Sequence, residues 1–341
     1  MIDNPIFIIG TERSGSNLLR LLLNSHSNIA IPHPPHLMRD FHRFEIGYGD
    51  LDINVHFSDL IEDCIEFVNS HFAPWPYNVS KENLIQFIED KSLYGIYVAL
   101  YEQYRDFKKK KRWGCKSTFM WREVETILSH HANPKFIHLI RDPRDVAVSA
   151  KKSIFSKGHP YNLALLWNHE QRNIEEYKKS ALNDKNYLLV KYEDLTLNSR
   201  ETLKKIMDFL NEEVEDQQFE FFKTDEASSL AKQSESWKNV QSPIVSDSVG
   251  QYKKTLSQKE QYYLEAVCGE LMKKYHYSLN LNATKTEISF VEKLIINIEE
   301  ELLFYKNEFK SLFFDKNFKK RWKKKILLMK LEWKYVGDKY V

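Results

Sequence analysis

Near the start of the chain, Gly10 and Gly15 bracket a polar stretch containing Glu12, Arg13 and Ser14, and Ser16 and Asn17 follow at once. A GxxxxG spacing between an apolar run and a helical run is the core of a phosphate-binding loop. Glycines let backbone N–H groups approach an anion closely, and the N-terminus of the next helix adds positive potential. Ser14, Ser16 and Asn17 supply further hydrogen bonds. A nucleoside triphosphatase would continue with Lys and then Ser/Thr, for the terminal phosphates and magnesium. Here those two positions are Ser16 and Asn17, and the cation inside the loop is Arg13. Its planar fork suits two oxygens of one anionic group. The loop is therefore expected to hold a phosphate-like group without magnesium chemistry. The structural alternative is a glycine turn capped by Ser14 or Ser16.

A second anion-binding pattern lies in "FIHLIRDPRDVAVSAKKS". Arg141 leaves an apolar run, Asp142 can cap the helix that follows, and Pro143 suits its first position. Ser149 comes eight residues after Arg141, about two helical turns on. Together they can take a second phosphate. The alternative pairs Arg141 with a carboxylate such as Asp145 and leaves Ser149 to pack.

The elements that must position these residues alternate. Strands are expected at Ile6–Ile9, in "NIAIP", in "KRWGCKST" before the loop that ends it, over 135–140 and over 187–191. Helices are expected at Asn17–Ser25, within 57–107, after "RDPRD" and in "SRETLKKIMDFL". This alternation predicts an α/β fold, a three-layer arrangement of parallel sheet flanked by helices. Ligands of such sheets sit at the carboxyl ends of the strands. "GTERSGSN", "CKST", "RDPRD" and "KYEDL" all lie just beyond predicted strands.

Apolar residues make up 42% of the 341, enough for a sizeable core, and the formal charge is only +2, which gives a nucleic-acid partner no support. Cys64, Cys115 and Cys268 lie far apart in sequence. Their odd number and spacing fit neither a metal site nor a disulfide framework, and point to a reducing compartment. No signal peptide and no run of 18 uncharged apolar residues is visible, so the expected location is the cytoplasm.

Taken together, "TERSGSNLLRLLL" and "LIRDPRDVAVSAKKS" resemble the sulfotransferase family that uses 3′-phosphoadenosine 5′-phosphosulfate. The first resembles its 5′-phosphosulfate loop, in the form seen in tyrosylprotein and bacterial members. The second resembles its 3′-phosphate segment. "VKYEDL" is similar to a further family element, and the resemblance covers roughly residues 5–280. It implies a P-loop NTPase-like sulfotransferase fold, with 3′-phosphoadenosine 5′-phosphate as product and no metal. It also implies that Arg13, Ser14, Gly15, Ser16 and Asn17 hold the 5′-phosphosulfate, that Arg141 and Ser149 hold the 3′-phosphate, and that Tyr192 contacts the adenine. Lys116, in "GCKST", resembles the lysine that faces the transferred group in tyrosylprotein-type enzymes.

Two departures stand out. The family's last nucleotide element is only faintly echoed by "SDSVGQYKK", so Ser246 and Ser248 carry little weight. Where tyrosylprotein-type enzymes place a glutamate base, an ungapped count from Arg13 reaches Pro34. His33 and His36 flank it within "PHPPH". Prolines stiffen that loop, and an imidazole suits proton removal near neutral pH. His36 is preferred to His33. Asp40 and Glu45 are further candidates, and His26 is expected to be structural.

The acceptor expected by analogy is a saccharide or glycolipid hydroxyl, for which Trp75, Tyr77, Trp113 and Trp121 offer stacking faces if they are not core. Residues 1–282 form the expected sulfotransferase domain, and 283–341 a helical extension. Val291, Ile295, Ile298, Leu302, Tyr305, Phe309 and Leu312 follow alternating steps of four and three, a short coiled-coil seam that suggests a homo-oligomer through 290–313. "FKKRWKKKILLMKLEWKY" then has the composition of an interfacial helix on the inner, anionic face of a membrane. Its Phe318, Trp322, Ile326, Met329 and Trp333 share one face. The alternative docks this helix on its own domain with the lysines in water. The competing functions are a P-loop kinase and a non-catalytic nucleotide- or polysaccharide-binding protein on the same scaffold.

Overall fold

The computed structural model describes residues 4–152, 158–233, 237, 240–280 and 288–336. Five strands form one sheet: β1 (Ile6–Gly10), β2 (Ile29–Ala30), β3 (Arg112–Cys115), β4 (Lys135–Ile140) and β5 (Tyr187–Lys191), in the order β2-β3-β1-β4-β5. The pairings are parallel. Ile6 lies opposite Gly114, Ile29 opposite Arg112, and Phe136 to Ile140 run in register with Tyr187 to Lys191. Helices cover both faces of such a sheet, so its central strands read as unbroken apolar runs. Every residue of "IFIIG" is buried, as is all of "KFIHLI" after its first lysine. The expected α/β fold is present. Chain order reverses around β1, the place where sheets of this kind bind ligands.

The chain divides into two compact units. The first takes residues up to 8, 20–134 and from 316 onward; the second takes 9–19 and 135–315. In the first, Ser92 caps the helix Leu93–Phe107 by accepting from Gly95 N at 2.8 Å. That helix buries Tyr97 and Tyr101, and the Tyr101 ring lies 5.3 Å from Trp113. In the second, Trp167, Leu264, Cys268 and Met272 are fully enclosed between the helices Pro160–Ser180 and Gln258–Lys274. Ser257 and Glu260 close a capping box at the start of the latter.

The two last helices fall in different units. Phe290–Phe314 belongs to the second unit, where Glu292 takes a hydrogen bond from Tyr263 and pairs with Lys259 at 3.1 Å. Phe318–Tyr335 belongs to the first unit, where Lys324 pairs with Asp40 at 2.9 Å and Arg43 with Glu332 at 2.8 Å. Each helix goes with the unit that answers its charges. The expected boundary at 282/283 lies outside the described residues. The row from Val291 to Leu312 is exposed throughout. None of the described helices is long and apolar enough to cross a membrane.

Candidate active site

In the second unit, the turn after β1 is fixed by close approach. Gly10 has φ 140°, and a Cβ there would stand 2.3 Å from the Leu139 carbonyl oxygen. Gly15 has φ 90°, and a Cβ there would stand 2.2 Å from the Tyr192 ring. Only glycine fits either place. Arg13 itself takes a left-handed conformation, φ 70°. For a residue with a side chain that conformation is uncommon, and such strain gathers at ligand clamps. Ser16 opens the helix Ser16–Asn24, so the loop ends on that helix's N-terminus. Behind the loop, buried Gln171 donates to Thr11 Oγ1 at 3.0 Å and contacts His138 at 2.7 Å. Burial holds that imidazole's pKa down at about 4, so it stays neutral.

The two predicted anion segments meet here. Arg13 Nε donates to Ser149 Oγ at 3.3 Å, and Arg141 donates to the Arg13 carbonyl at 3.1 Å and to the Ser248 carbonyl at 2.6 Å. The Arg141 guanidinium lies 4.3 Å from the Tyr192 ring centroid. Among the described residues, both guanidiniums therefore spend their hydrogen bonds on a hydroxyl and on carbonyls rather than on carboxylates. The two like charges lie close enough to act on each other, and together they raise the attraction for an anion. The buried Ser14 Oγ, Asn17 Oδ1 and Arg141 Nε have no hydrogen-bond partner within the described chain. Buried polar atoms are nearly always paired, so these three suit the oxygens of a bound ligand. Two guanidiniums and these open hydrogen-bonding atoms fit the phosphate groups of a doubly phosphorylated nucleoside.

Arg144, three residues on from Arg141, does the opposite job. It is bound to Asp142 at 2.7 Å and to Glu265 at 2.6 Å, all three buried. This network locks the start of the helix Pro143–Lys151, where Asp142 also caps by accepting from Arg144 N. Asp145 does not take Arg141 as a hydrogen-bond partner; it accepts from Gly250 N at 2.6 Å and Tyr252 N at 2.9 Å. Those two bonds bring the faintly echoed "SDSVGQY" segment to the cradle, where Ser248 contributes a carbonyl. Sequence reasoning underweighted this segment. The aspartate that anchors it was legible, but its target lay about a hundred residues away.

In the first unit, His36 sits at the N-cap of the short helix Leu37–Phe41 with φ 64°. Its Nδ1 lies 3.1 Å from Ser117 Oγ, which puts it beside the loop carrying Lys116. Burial first, and then the charges of Arg39, Lys116 and Lys324, hold its pKa well below the ordinary value, so the ring is neutral near pH 7. Lys116 follows β3 and is buried. His33 is built differently. Its Nδ1 lies 3.0 Å from His71 Nε2, the two rings stack at 5.2 Å, and its carbonyl accepts from the Trp75 indole at 3.0 Å. It is a core residue, whereas His36 is half-buried.

The other candidate bases are committed. Asp40 bonds Arg39 at 2.6 Å and Lys324 at 2.9 Å. Burial pushes its pKa up, but these partners prevail and hold it down. Glu45 caps the helix Leu93–Phe107 by accepting from Leu93 N at 3.0 Å. His26 accepts from Asn28 N at 3.1 Å and serves a turn, as expected. Trp75, Trp113 and Trp121 are no stacking platform: all three are buried, and Trp113 Nε1 donates to Glu102 at 2.9 Å. Tyr77 packs on Phe107, with ring centroids 4.7 Å apart. Core packing explains these aromatics.

Comparison with known proteins gives these features a family. The profile of the sulfotransferase family matches residues 5–216. An uncharacterised protein of Aquifex aeolicus (strain VF5) is 26% identical over 227 residues, 64% of this chain. The matched part is 27% of that protein, so the chain spans about a quarter of the curated relative's length. Among solved structures, the sulfotransferase domain from the Synechococcus PCC 7002 olefin synthase superposes with TM-score 0.56 at 22% identity, over 81% of this chain and 97% of that one. The sulfotransferase domain from the curacin biosynthetic pathway superposes with TM-score 0.57 at 21% identity, over 82% and 99%. These two likenesses are of fold; the family rests on the profile match across the strands and loops just described. The chain belongs to the sulfotransferase family.

Proposed function

We propose that this protein transfers the sulfuryl group of 3′-phosphoadenosine 5′-phosphosulfate to a hydroxyl of a saccharide or glycolipid. The observation that carries the donor is the shared cradle. Arg13 and Arg141 come from two separate strand-to-helix turns, and are bound to one another's surroundings through Ser149 Oγ and the Arg13 carbonyl. On this reading Arg13, Ser14, Gly15, Ser16 and Asn17 hold the 5′-phosphosulfate. Arg141 and Ser149 hold the 3′-phosphate, and Tyr192 holds the adenine.

The reaction is in-line displacement at sulfur with no metal assigned a role. The acceptor oxygen forms a bond to sulfur as the bond from sulfur to the bridging oxygen breaks. Negative charge passes to the departing 5′-phosphate, and on this reading Arg13, Lys116 and the loop N–H groups stabilise it. The acceptor proton goes to His36 Nε2. For Nε2 to be unprotonated in a neutral ring, Nδ1 must carry the hydrogen and donate it to Ser117 Oγ. Beside His36, the Phe119 ring carries Arg39 at 5.2 Å and Arg122 at 5.7 Å. Guanidinium donors gathered near His36 support a hydroxyl-rich acceptor.

The test is incubation with labelled sulfate donor and a panel of saccharides, glycolipids, phenols and tyrosine peptides. Label is expected on a saccharide or glycolipid. Label only on a peptide or phenol would overturn the acceptor. Calorimetric binding of the donor with no transfer to any acceptor would mark a non-catalytic binder instead.

A further inference from the structure

We propose that the outward face of the last helix, Phe318–Tyr335, is a docking surface for an anionic lipid bilayer. The helix has two unlike sides. At about 100° per residue, Leu327, Leu331, Lys324 and Tyr335 fall on one side, and that side is docked. Leu327 and Leu331 are buried, Lys324 donates to the Pro35 carbonyl at 3.2 Å and pairs with Asp40, and the Tyr335 ring lies 3.9 Å from that of Tyr48.

Phe318, Trp322, Ile326, Met329 and Trp333 fall within roughly 80° of one another on the opposite side. They are not what the docking uses: Trp322 is 47% exposed, Met329 61% and Trp333 84%. Exposed lysines border this stripe on both flanks, Lys319, Lys323 and Lys330 along one and Lys325 along the other. Between this helix and Asn54–Asn69 runs a groove of about 290 Å³, lined by Glu66, Phe318, Trp322, Ile326 and lysines.

Charge complementarity selects the occupant. A central apolar stripe with lysines on either side lets tryptophans enter the headgroup boundary while ammonium groups reach lipid phosphates. A second copy of this chain would bring the same lysines against lysines. The inference is independent of the sulfuryl-donor reading, and its test needs neither donor nor acceptor.

The experiment is co-sedimentation of the full chain with phosphatidylcholine vesicles, with and without about 30 mol% phosphatidylserine. Binding is expected only with the anionic lipid, weakening as salt rises. A chain carrying Trp322→Glu and Trp333→Glu should keep its circular dichroism, since both side chains are exposed, and should lose at least about tenfold in partitioning. The proposal is overturned if the native chain stays in the supernatant with anionic vesicles, or if the double variant binds equally well. It is also overturned if the native chain forms a concentration-dependent dimer that the double variant does not form.

Discussion

The glycine-arginine cradle of the second unit and the histidine loop of the first are built by different means. The cradle is a backbone device. Two glycines stand where any Cβ would strike a carbonyl or a ring, and one arginine takes a left-handed conformation between them. Such a device needs particular residue types at particular spacings, so it is written in the local sequence. The histidine loop is an environmental device. His33 and His36 are the same residue type, three apart in one Pro-rich loop. One is tied to His71 and the other faces Ser117 beside the Lys116 loop. The neighbours that separate their roles come from residues 71 and 117, far along the chain.

The sharpest way to break this comparison is to remove the cation from the cradle. Arg13→Ala is expected to lower kcat by about 100- to 1,000-fold, the usual cost of one transition-state donor, with circular dichroism unchanged. Near-native kcat would take the loop out of the chemistry.

The histidines come next. His36→Ala should lower kcat by roughly 100-fold or more, whereas His33→Ala should stay within about tenfold of native kcat and lose stability instead, as a core residue does. Equal kinetic losses would erase the distinction drawn from their partners. The pH dependence follows from their depressed pKa values. Both rings are neutral in the folded protein well below the ordinary histidine range, while the unfolded chain binds protons below about 6.5. Their contribution to stability is therefore complete above about pH 6.5 and is lost as pH falls through the window down to the folded values. Chemical denaturation at pH 7.5 and 5.5 should show the lower stability at 5.5. The acidic limb of kcat should lie below the ordinary histidine pKa for the same reason.

Gly15→Ala sharpens the cradle side. The added methyl meets Tyr192 at a positive φ, so donor affinity should fall by about tenfold or more while His36 chemistry on bound donor is spared. A calorimetric Kd unchanged from native would contradict the close approach.

The smallest expected effect comes from Lys324. It holds the Pro35 carbonyl next to His36, and its charge helps to depress the His36 pKa. Lys324→Met should lower kcat several-fold, leave the donor KM unchanged and move the acidic limb to higher pH. A merely structural role would leave that limb where it is.

The strands over 135–140 and 187–191 were legible to the residue, because their apolar runs end at turn chemistry. Arg141 was legible as a candidate, but what keeps its hydrogen bonds on carbonyls was not. Arg144 absorbs Asp142 and Glu265, and Gly250 and Tyr252 occupy Asp145, so among the described residues no carboxylate takes the Arg141 hydrogen bonds. The tryptophans stayed open because an indole looks alike in a core and in a cleft until its N–H partner is known. The last helix was legible as amphipathic. That it docks by the side opposite its aromatic stripe depends on Asp40 and Tyr48, which no periodicity within the helix reveals.

The central claim is that Arg13 and Arg141 grip the two phosphorylated ends of one adenosine. Isothermal titration of the native chain with adenosine 3′,5′-bisphosphate and with adenosine 5′-monophosphate tests it most directly. The account predicts that the bisphosphate binds at least about tenfold more tightly, the least expected for a charge-assisted contact to its 3′ end, and that Arg141→Gln removes most of this preference. Equal affinity of the native chain for the two nucleotides would contradict it.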